Sequence, residues 1–215
     1  MTYNILGQGI RKVFGVTRLY QQLSFILEID KLKTILRQTL LTDSSRRENS
    51  AEHSWHLAIM ALLLSEYAAE AVDVTRTMKM LLVHDLVEID AGDTFAYDAV
   101  GNVSKSEREQ RCADRLFGLL PEEQGREIRA LWDEFEAFQT PESKYANALD
   151  RLQPLLHNSR TEGGTWRIHS VAHAQVYRRM EPVRTALPEI WPEVTRIIED
   201  ATARGWILSE PHSQK

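Results

Sequence analysis

The chain has 215 residues and a formal net charge of −5, with 43% of its residues hydrophobic and 27% charged, which is typical of a soluble globular protein with one sizeable core. The negative charge argues against a general binder of nucleic acid polymers, and no apolar run approaches the ~20 residues of a membrane span. The single Cys112 excludes an intramolecular disulfide and a cysteine-based zinc site, and it favours a reducing, cytoplasmic compartment.

The first part of the chain is predicted to be a short basic arm. Residues 1–27 include Arg11, Lys12 and Arg18 but no acidic residue. From Leu23 onward the apolar residues follow a helical period, and no segment alternates with period two for long enough to indicate a strand. We therefore predict an all-α protein with a basic arm over 1–22, one domain over 23–208 and a tail over 209–215.

Capping signals place the predicted helices along the chain. Asn49 followed by Glu52 is a capping box, and it predicts a helix from there to about residue 71. Ser104 with Glu107 repeats this signal, and Thr140-Pro141 marks another start. The remaining patterns complete a bundle, with helices predicted over about 75–89, 104–119, 121–138, 140–150, 169–180 and 188–204.

Ionisable side chains recur at inward-facing positions of these helices. His53, the adjacent pair His84-Asp85, and Asp150 all lie on apolar stripes. Taken singly, each is more simply read as a satisfied structural histidine or a paired carboxylate. Taken together, they supply two neutral imidazoles and two carboxylates that can converge on one divalent cation. Such a cation would also compensate the cost of burying these groups.

The same residues carry a family resemblance. The order His53, His84-Asp85, Asp150 resembles that of the HD-domain metal-dependent phosphohydrolases. The surrounding text, "RRENSAEHSWH", "HDLVEIDAGDT" and "NALDRLQPLLHN" followed by "GGTW", is similar to the branch that contains the bacterial 5'-deoxynucleotidases and their eukaryotic HD-domain relatives. The resemblance covers about residues 23–198. It implies an HD-domain helical bundle, a metal bound by His53, His84, Asp85 and Asp150, and a homodimer.

Further site residues follow from this resemblance. It implies catalytic roles for Glu88 and Asp93, one activating water and the other assisting at the phosphate. Glu88 lies one helical turn from Asp85, ~5 Å along the axis. The resemblance places a phosphate-binding arginine at Arg37, where a planar guanidinium can hold two phosphate oxygens. Arg46, beside Arg47, is a further candidate, although consecutive arginines in a loop are more often solvated.

The implied activity is hydrolysis of a deoxynucleoside monophosphate to deoxynucleoside and phosphate. In the resembling superfamily, the dinuclear enzymes and the di-iron oxygenases have additional histidines between the His-Asp pair and the last aspartate. Residues 86–149 of this chain contain no histidine, so the resemblance favours a mononuclear site and hydrolysis. Another small phosphorylated metabolite stays open as the substrate. A nucleotide-binding or scaffolding protein without turnover is the alternative, and Glu88 and Asp93 argue against it. The one divalent metal could be Mn, Fe, Co, Ni, Zn or Mg.

Other polar residues receive simpler interpretations. His56 is expected to pack near the site without ligating. His169 and His173 are spaced as i and i+4, yet no glutamate completes a zincin motif between them, so an exposed helix face is expected. Gln38 stands where the bacterial deoxynucleotidases carry an aromatic residue, and this departure leaves sugar and base selectivity open.

Overall fold

Helices make up most of the chain in the computed structural model, which describes residues 17–97 and 105–209. The predicted all-α class is confirmed, with a small two-stranded sheet in addition. The helices are α1 (Arg18–Ile29), α2 (Ser50–Leu64), α3 (Val74–Val83), α4 (Glu88–Ala91), α5 (Lys105–Phe117), α6 (Glu122–Ala137), α7 (Pro141–Arg160), α8 (Gly164–Ile168), α9 (His173–Ala186) and α10 (Trp191–Ala203).

Two short strands precede α2 and were not predicted from the sequence. Strand β1 (Leu36–Leu40) pairs antiparallel with β2 (Arg47–Asn49), with Leu36 opposite Asn49. The buried residues of β1 are Arg37 and Thr39, whereas Leu36 is exposed. The usual alternation of apolar and polar residues is therefore inverted, because this face of the hairpin covers a polar site rather than the core.

The helix predicted over 75–89 is interrupted at the His84-Asp85 pair. Helix α3 ends at Val83, and the next backbone hydrogen bonds skip three residues instead of four, as in Glu88 N to the Asp85 carbonyl at 3.0 Å. In a turn of this tighter kind, residues three apart lie above one another. Asp85 and Glu88 are thus aligned at the point where α3 gives way to α4.

Helix α7 is the central element of the bundle. It contacts α2, α3, α6, α8, α9 and α10. The Thr140-Pro141 start is confirmed, since the Thr140 hydroxyl caps the Ser143 amide. The predicted end near residue 150 is wrong, because the helix continues through Pro154 to Arg160. The fully buried core around it includes Leu57, Met80, Leu81, Trp132, Tyr145, Leu149, Leu155 and Trp166.

Parts of the predicted organisation fall beyond the described residues. Residues 1–16 of the basic arm, Ser104 of one capping box and most of the tail lie outside them, while α1 begins at Arg18 within the predicted arm. The helix predicted over 169–180 begins only at His173 and extends to Ala186. Among residues 17–97 and 105–209, no helix combines the length and the apolar character that crossing a membrane requires.

Candidate metal centre

The start of α2 and the middle of α7 bring the first pair of predicted ligands together. The capping box of Asn49 and Glu52 fixes the start of α2, so that His53 is fully buried one turn later. Its Nε2 lies 3.0 Å from Asp150 Oδ1. Burial alone would raise the pKa of Asp150, but the hydrogen bond with His53 and the proximity of His84 hold this pKa well below its usual range. The Asp150 carboxylate is therefore charged and available as a ligand.

His84 enters the same centre from the end of α3. Its Nδ1 donates to the Leu81 carbonyl at 2.8 Å, which leaves Nε2 facing the carboxylates. This buried Nε2 lies 3.0 Å from Asp85 Oδ1 and 3.8 Å from Asp150 Oδ1, and it makes no hydrogen bond among the described residues. Burial would lower the pKa of His84, yet the neighbouring charge of Asp85 raises it to about 9. The negative surroundings that favour a proton on His84 would also favour a metal cation at this position.

The donor atoms fit a single divalent cation. One atom each from His53, His84 and Asp150 lies within 4.8 Å of the others, and Asp85 is adjacent. Two imidazoles with two carboxylates are a ligand set that divalent transition metals accept. The observation that supports the fit is His84 Nε2, which is buried and makes no hydrogen bond within the described part of the chain. A buried nitrogen without a hydrogen bond is costly, and a bound cation would relieve this cost.

Arg37 lies directly beside these ligands. Its Nη1 donates to Asp85 Oδ2 at 2.7 Å and lies 3.7 Å from Asp93 Oδ1. Burial would lower the pKa of Arg37, but Asp85, Glu88 and Asp93 raise it, so the guanidinium is permanently charged. The inverted pattern of β1 therefore places the charged guanidinium of Arg37 beside the candidate metal ligands.

Glu88 is the first residue of the short helix α4, and Asp93 follows the end of this helix. Glu88 Oε2 accepts a hydrogen bond from Ser50 Oγ at 2.7 Å, and burial together with the charge of Asp85 raises the pKa of Glu88 to about 8. Asp93 follows Gly92, whose φ of 74° ends α4. Burial also raises the pKa of Asp93. Both carboxylates thus have raised basicity beside the candidate centre.

A cavity adjoins the centre on the side of Arg37 and Asp93. Two further arginines line it, and the sequence interpretation missed both. Arg179 Nη2 lies 3.7 Å and Arg151 Nη1 lies 3.9 Å from Asp150 Oδ2. Arg151 could have been suspected from its position next to Asp150, whereas Arg179 comes from α9 and carried no local signal. The rest of the lining is partly aromatic and includes Phe95, Tyr97 and Trp166.

The arginines predicted beside Arg37 do not line this cavity. Arg46 is exposed, and its Nη1 donates to Glu52 Oε2 at 2.9 Å at the start of α2. Arg47 is exposed at the beginning of β2. A role for Arg46 at the phosphate stays a prediction, but its ion pair with Glu52 gives it a structural task.

The remaining histidines occupy other places. His169 and His173 do not share a helix, because His169 caps the end of α8 while α9 begins at His173. His169 stacks on Phe95 with ring centroids 4.2 Å apart, and its Nε2 is 3.3 Å from Gln38 Oε1. His173 Nε2 lies 3.3 Å from Glu199 Oε1. The expectation that both histidines lie on one exposed helix face is thus wrong, because they belong to two different helices.

His56 belongs to a second group of candidate ligand atoms, with Glu48 and His157. The side-chain nitrogen of Gln153 lies among them, 2.7 Å from Glu48 Oε1, 3.1 Å from His157 Nε2 and 3.4 Å from His56 Nδ1. The two N–H donors of this amide are matched by the two nearer acceptors, Glu48 Oε1 and His157 Nε2. The sequence interpretation placed His56 near the site without a ligand role, and it did not single out Glu48, Gln153 or His157.

Comparison with known proteins agrees with the site that the structure brings together. A family model described as "HD domain" matches residues 29–191. The human protein named 5'-deoxynucleotidase HDDC2 is 27% identical over 208 residues, which span 96% of this chain and 95% of that protein. The cattle protein of the same name is 30% identical over 73% of this chain and 71% of its own.

Solved structures give a similar result. A predicted metal-dependent phosphohydrolase from Magnetospirillum magnetotacticum MS-1 shares 55% sequence identity, with a TM-score of 0.85 over 90% of this chain and 97% of that one. The PH0347 protein from Pyrococcus horikoshii OT3 has 23% identity and a TM-score of 0.61, over 81% of this chain and 99% of its own. This second similarity extends to the fold alone.

Proposed function

Because the chain belongs to the HD domain family, we propose that it is a metal-dependent phosphomonoesterase that converts deoxynucleoside 5'-monophosphates to deoxynucleosides and phosphate. The names of the human and cattle relatives support this substrate class. The observation that carries the proposal is the meeting of His53, His84 and Asp150 at one point, with Arg37 beside them at the cavity wall.

The proposed metal ligands are His53, His84, Asp85 and Asp150. A divalent cation held there would neutralise phosphoryl charge and acidify a water molecule. Glu88, whose pKa is raised to about 8, is assigned to accept the proton of that water. Asp93 lies at the cavity beside Arg37 and is assigned to the phosphate side.

The phosphate is assigned to the cationic wall of the cavity. Arg37 is the primary candidate, because a charged guanidinium can form two parallel hydrogen bonds to phosphate oxygens. Arg151 and Arg179 add positive charge on the opposite side of Asp150. Phe95, Tyr97 and Trp166 provide flat surfaces for a nucleobase. A nucleoside monophosphate combines these two chemistries in one small molecule.

A homodimer is proposed from two exposed apolar stripes. On α1, Leu19, Leu23, Ile26 and Leu27 are exposed, and on α2 the same spacing recurs at Trp55, Ile59, Leu62 and Leu63. Residues spaced i, i+4, i+7 and i+8 lie along one helix face, and such continuous apolar surface usually marks an interface. Light scattering should give twice the chain mass, and Leu62→Asp with Leu63→Asp should give a monomer. A parent protein of single mass would contradict the proposal.

The proposed setting is the cytoplasm, with neither membrane nor nucleic acid polymer as a partner. Cys112 is buried, and it is the single cysteine of the chain. Because a chain with one cysteine forms no intramolecular disulfide, its fold does not depend on an oxidising compartment.

A substrate panel tests the activity. Purified protein, reconstituted with each of several divalent metals, is assayed for phosphate release from deoxynucleoside monophosphates, ribonucleoside monophosphates and other small phosphate esters. We expect the highest kcat/KM with deoxynucleoside monophosphates. Preference for another phosphate ester would move the substrate class, and binding without turnover on all of them would favour the scaffolding alternative.

A further inference from the structure

The two imidazoles of the candidate centre are oriented in different ways. A histidine that ligates through Nε2 must carry its proton on Nδ1, and the acceptor of that proton fixes the ring. For His84 this acceptor is the Leu81 carbonyl, three residues earlier on α3. His53 instead directs Nδ1 toward side chains, at 3.2 Å from Gln153 Oε1 and 3.5 Å from Glu48 Oε2.

Gln153 is fully buried and lies three residues after Asp150 on α7. The orientation of its amide follows from its neighbours. The amide nitrogen can only donate, and it faces the carboxylate Glu48 Oε1 at 2.7 Å and His157 Nε2 at 3.1 Å. The amide oxygen is therefore the end that faces His53. A reversed amide would set an oxygen against the Glu48 carboxylate.

His157 fixes the next member of the chain. Its Nδ1 lies 3.0 Å from the Leu40 carbonyl, which can only accept, so Nδ1 carries the proton. Its Nε2 then has a free lone pair toward Gln153. The hydrogen bonds run in one direction, from His53 Nδ1 to Gln153 Oε1, from Gln153 Nε2 to His157 Nε2, and from His157 Nδ1 to the backbone of β1.

We propose that Gln153 and His157 are positioning residues that hold His53 in the tautomer whose Nε2 can bind the metal. The inference rests on the proposed function, because it assigns a task toward the metal of that site. Glu48 supports the same arrangement, since its Oε1 accepts from Gln153 while its Oε2 faces the protonated side of the His53 ring, 3.5 Å from Nδ1, and lies 3.9 Å from Arg37 Nε.

The test measures metal affinity directly, without substrate, by competition with a chelator. Gln153→Leu keeps the size of the side chain but removes both of its hydrogen-bonding ends. Loss of a hydrogen-bond partner behind a metal-binding histidine typically weakens metal binding 10–100-fold, and we expect roughly that loss here. His157→Phe should weaken binding by less, because Gln153 keeps its bond to Glu48.

Tyr145→Phe is the matched control. Its hydroxyl donates to the Ala61 carbonyl at 3.0 Å, so this change also removes one buried hydrogen bond from α7. The control should lose stability but retain parental metal affinity. Gln153→Glu supplies the rescue, because a carboxyl group that shares a proton with Glu48 can still accept from His53, and most of the affinity should return. If Gln153→Leu does not fold, His157→Phe decides the matter, because the proposal expects this variant to bind the metal more weakly than the parent and parental affinity in it would overturn the proposal.

A spectroscopic measurement reports the tautomer itself. Nitrogen-15 NMR of the histidine side chains in the metal-free parent should show His53 protonated at Nδ1, and in metal-free Gln153→Leu a part of the population should carry the His53 proton on Nε2 instead. Parental metal affinity together with an unchanged His53 signal in Gln153→Leu would overturn the inference. A parent that binds two ions, of which His157→Phe loses one, would assign a cation to Glu48, His56 and His157 and would also overturn it.

These outcomes are separable from failure of the proposed function. If the parent binds no divalent metal in the chelator assay, the proposed function itself fails. If the parent binds metal and Gln153→Leu binds it equally well, only the role of Gln153 is lost.

Discussion

Replacement of Glu88 by glutamine tests the proposed general base with little change in shape. The side chain is buried and accepts a hydrogen bond from Ser50 Oγ at 2.7 Å, which a glutamine oxygen can also accept. Burial raises the pKa of Glu88 to about 8, which favours the neutral form of this carboxyl in the metal-free protein. Glutamine resembles that neutral form, so we expect the free energy of unfolding to change by less than ~1 kcal/mol.

The expected loss of activity is much larger than the change in stability. A positioned general base contributes 10²–10⁴-fold to the rate, which corresponds to roughly 3–5 kcal/mol in activation free energy. The assay is phosphate release from a saturating deoxynucleoside monophosphate, alongside metal analysis of the same sample. We expect Glu88→Gln to retain its metal and to lose kcat by that factor, with KM little changed.

Glu134→Gln is a suitable control. Glu134 is also partly buried, but it pairs with Arg76 and accepts from the Thr140 hydroxyl, away from the cavity. It should retain the parental rate. If Glu88→Gln keeps its metal and hydrolyses at a near-parental rate, the assignment of the base is wrong, and Asp93→Asn becomes the variant to examine.

Three further changes have defined outcomes. Asp150→Ala should abolish metal retention, because Asp150 Oδ1 lies 3.0 Å from His53 Nε2 at the centre; full metal content in this variant would remove Asp150 from the ligands, and two ions per parent chain would contradict a mononuclear site. Arg37→Ala should lower kcat/KM on the order of a hundredfold, about 3 kcal/mol, with partial recovery in Arg37→Lys; parental kinetics in both would place the phosphate clamp elsewhere. Leu149→Ala should lower the free energy of unfolding by ~2–5 kcal/mol, measured in denaturant, because this core side chain is fully buried; a loss below ~1 kcal/mol would contradict its core role.

Helix starts were predictable because they depend on neighbouring residues. The capping box of Asn49 and Glu52 is present in the structure, with both of its hydrogen bonds. The interruption at His84 was not predictable in this way. The sequence there keeps the apolar spacing of a continuous helix, and the tighter hydrogen bonds of the turn do not change this spacing.

The hairpin and the end of α7 escaped prediction for tertiary reasons. Arg37 is buried in β1 because the strand covers a polar centre, so the hydrophobic pattern indicates the wrong face. The end of α7 predicted near residue 150 was wrong, because the helix is enclosed by neighbouring helices on several sides and continues through Pro154 to Arg160.

Within the candidate site, the predictable residues were those that belong to sequence motifs shared with the resembling family. His53, His84 and Asp150 do meet in the structure. Gln153 and Arg179 could not be inferred, because an isolated glutamine or arginine in a helix is usually solvated. Gln153 meets its partners only when α7 packs against α2 and β2, and Arg179 reaches Asp150 only when α9 packs against α7.

The most direct test of the proposed activity is a metal titration of the stripped protein with a deoxynucleoside monophosphate as substrate. Phosphate release should be absent without metal, rise in proportion to added Mn²⁺ or Co²⁺, and level off at one ion per chain. Asp150→Ala should stay inactive throughout. Turnover by the metal-free protein, or no turnover of any deoxynucleoside monophosphate once one ion per chain is bound, would contradict the account.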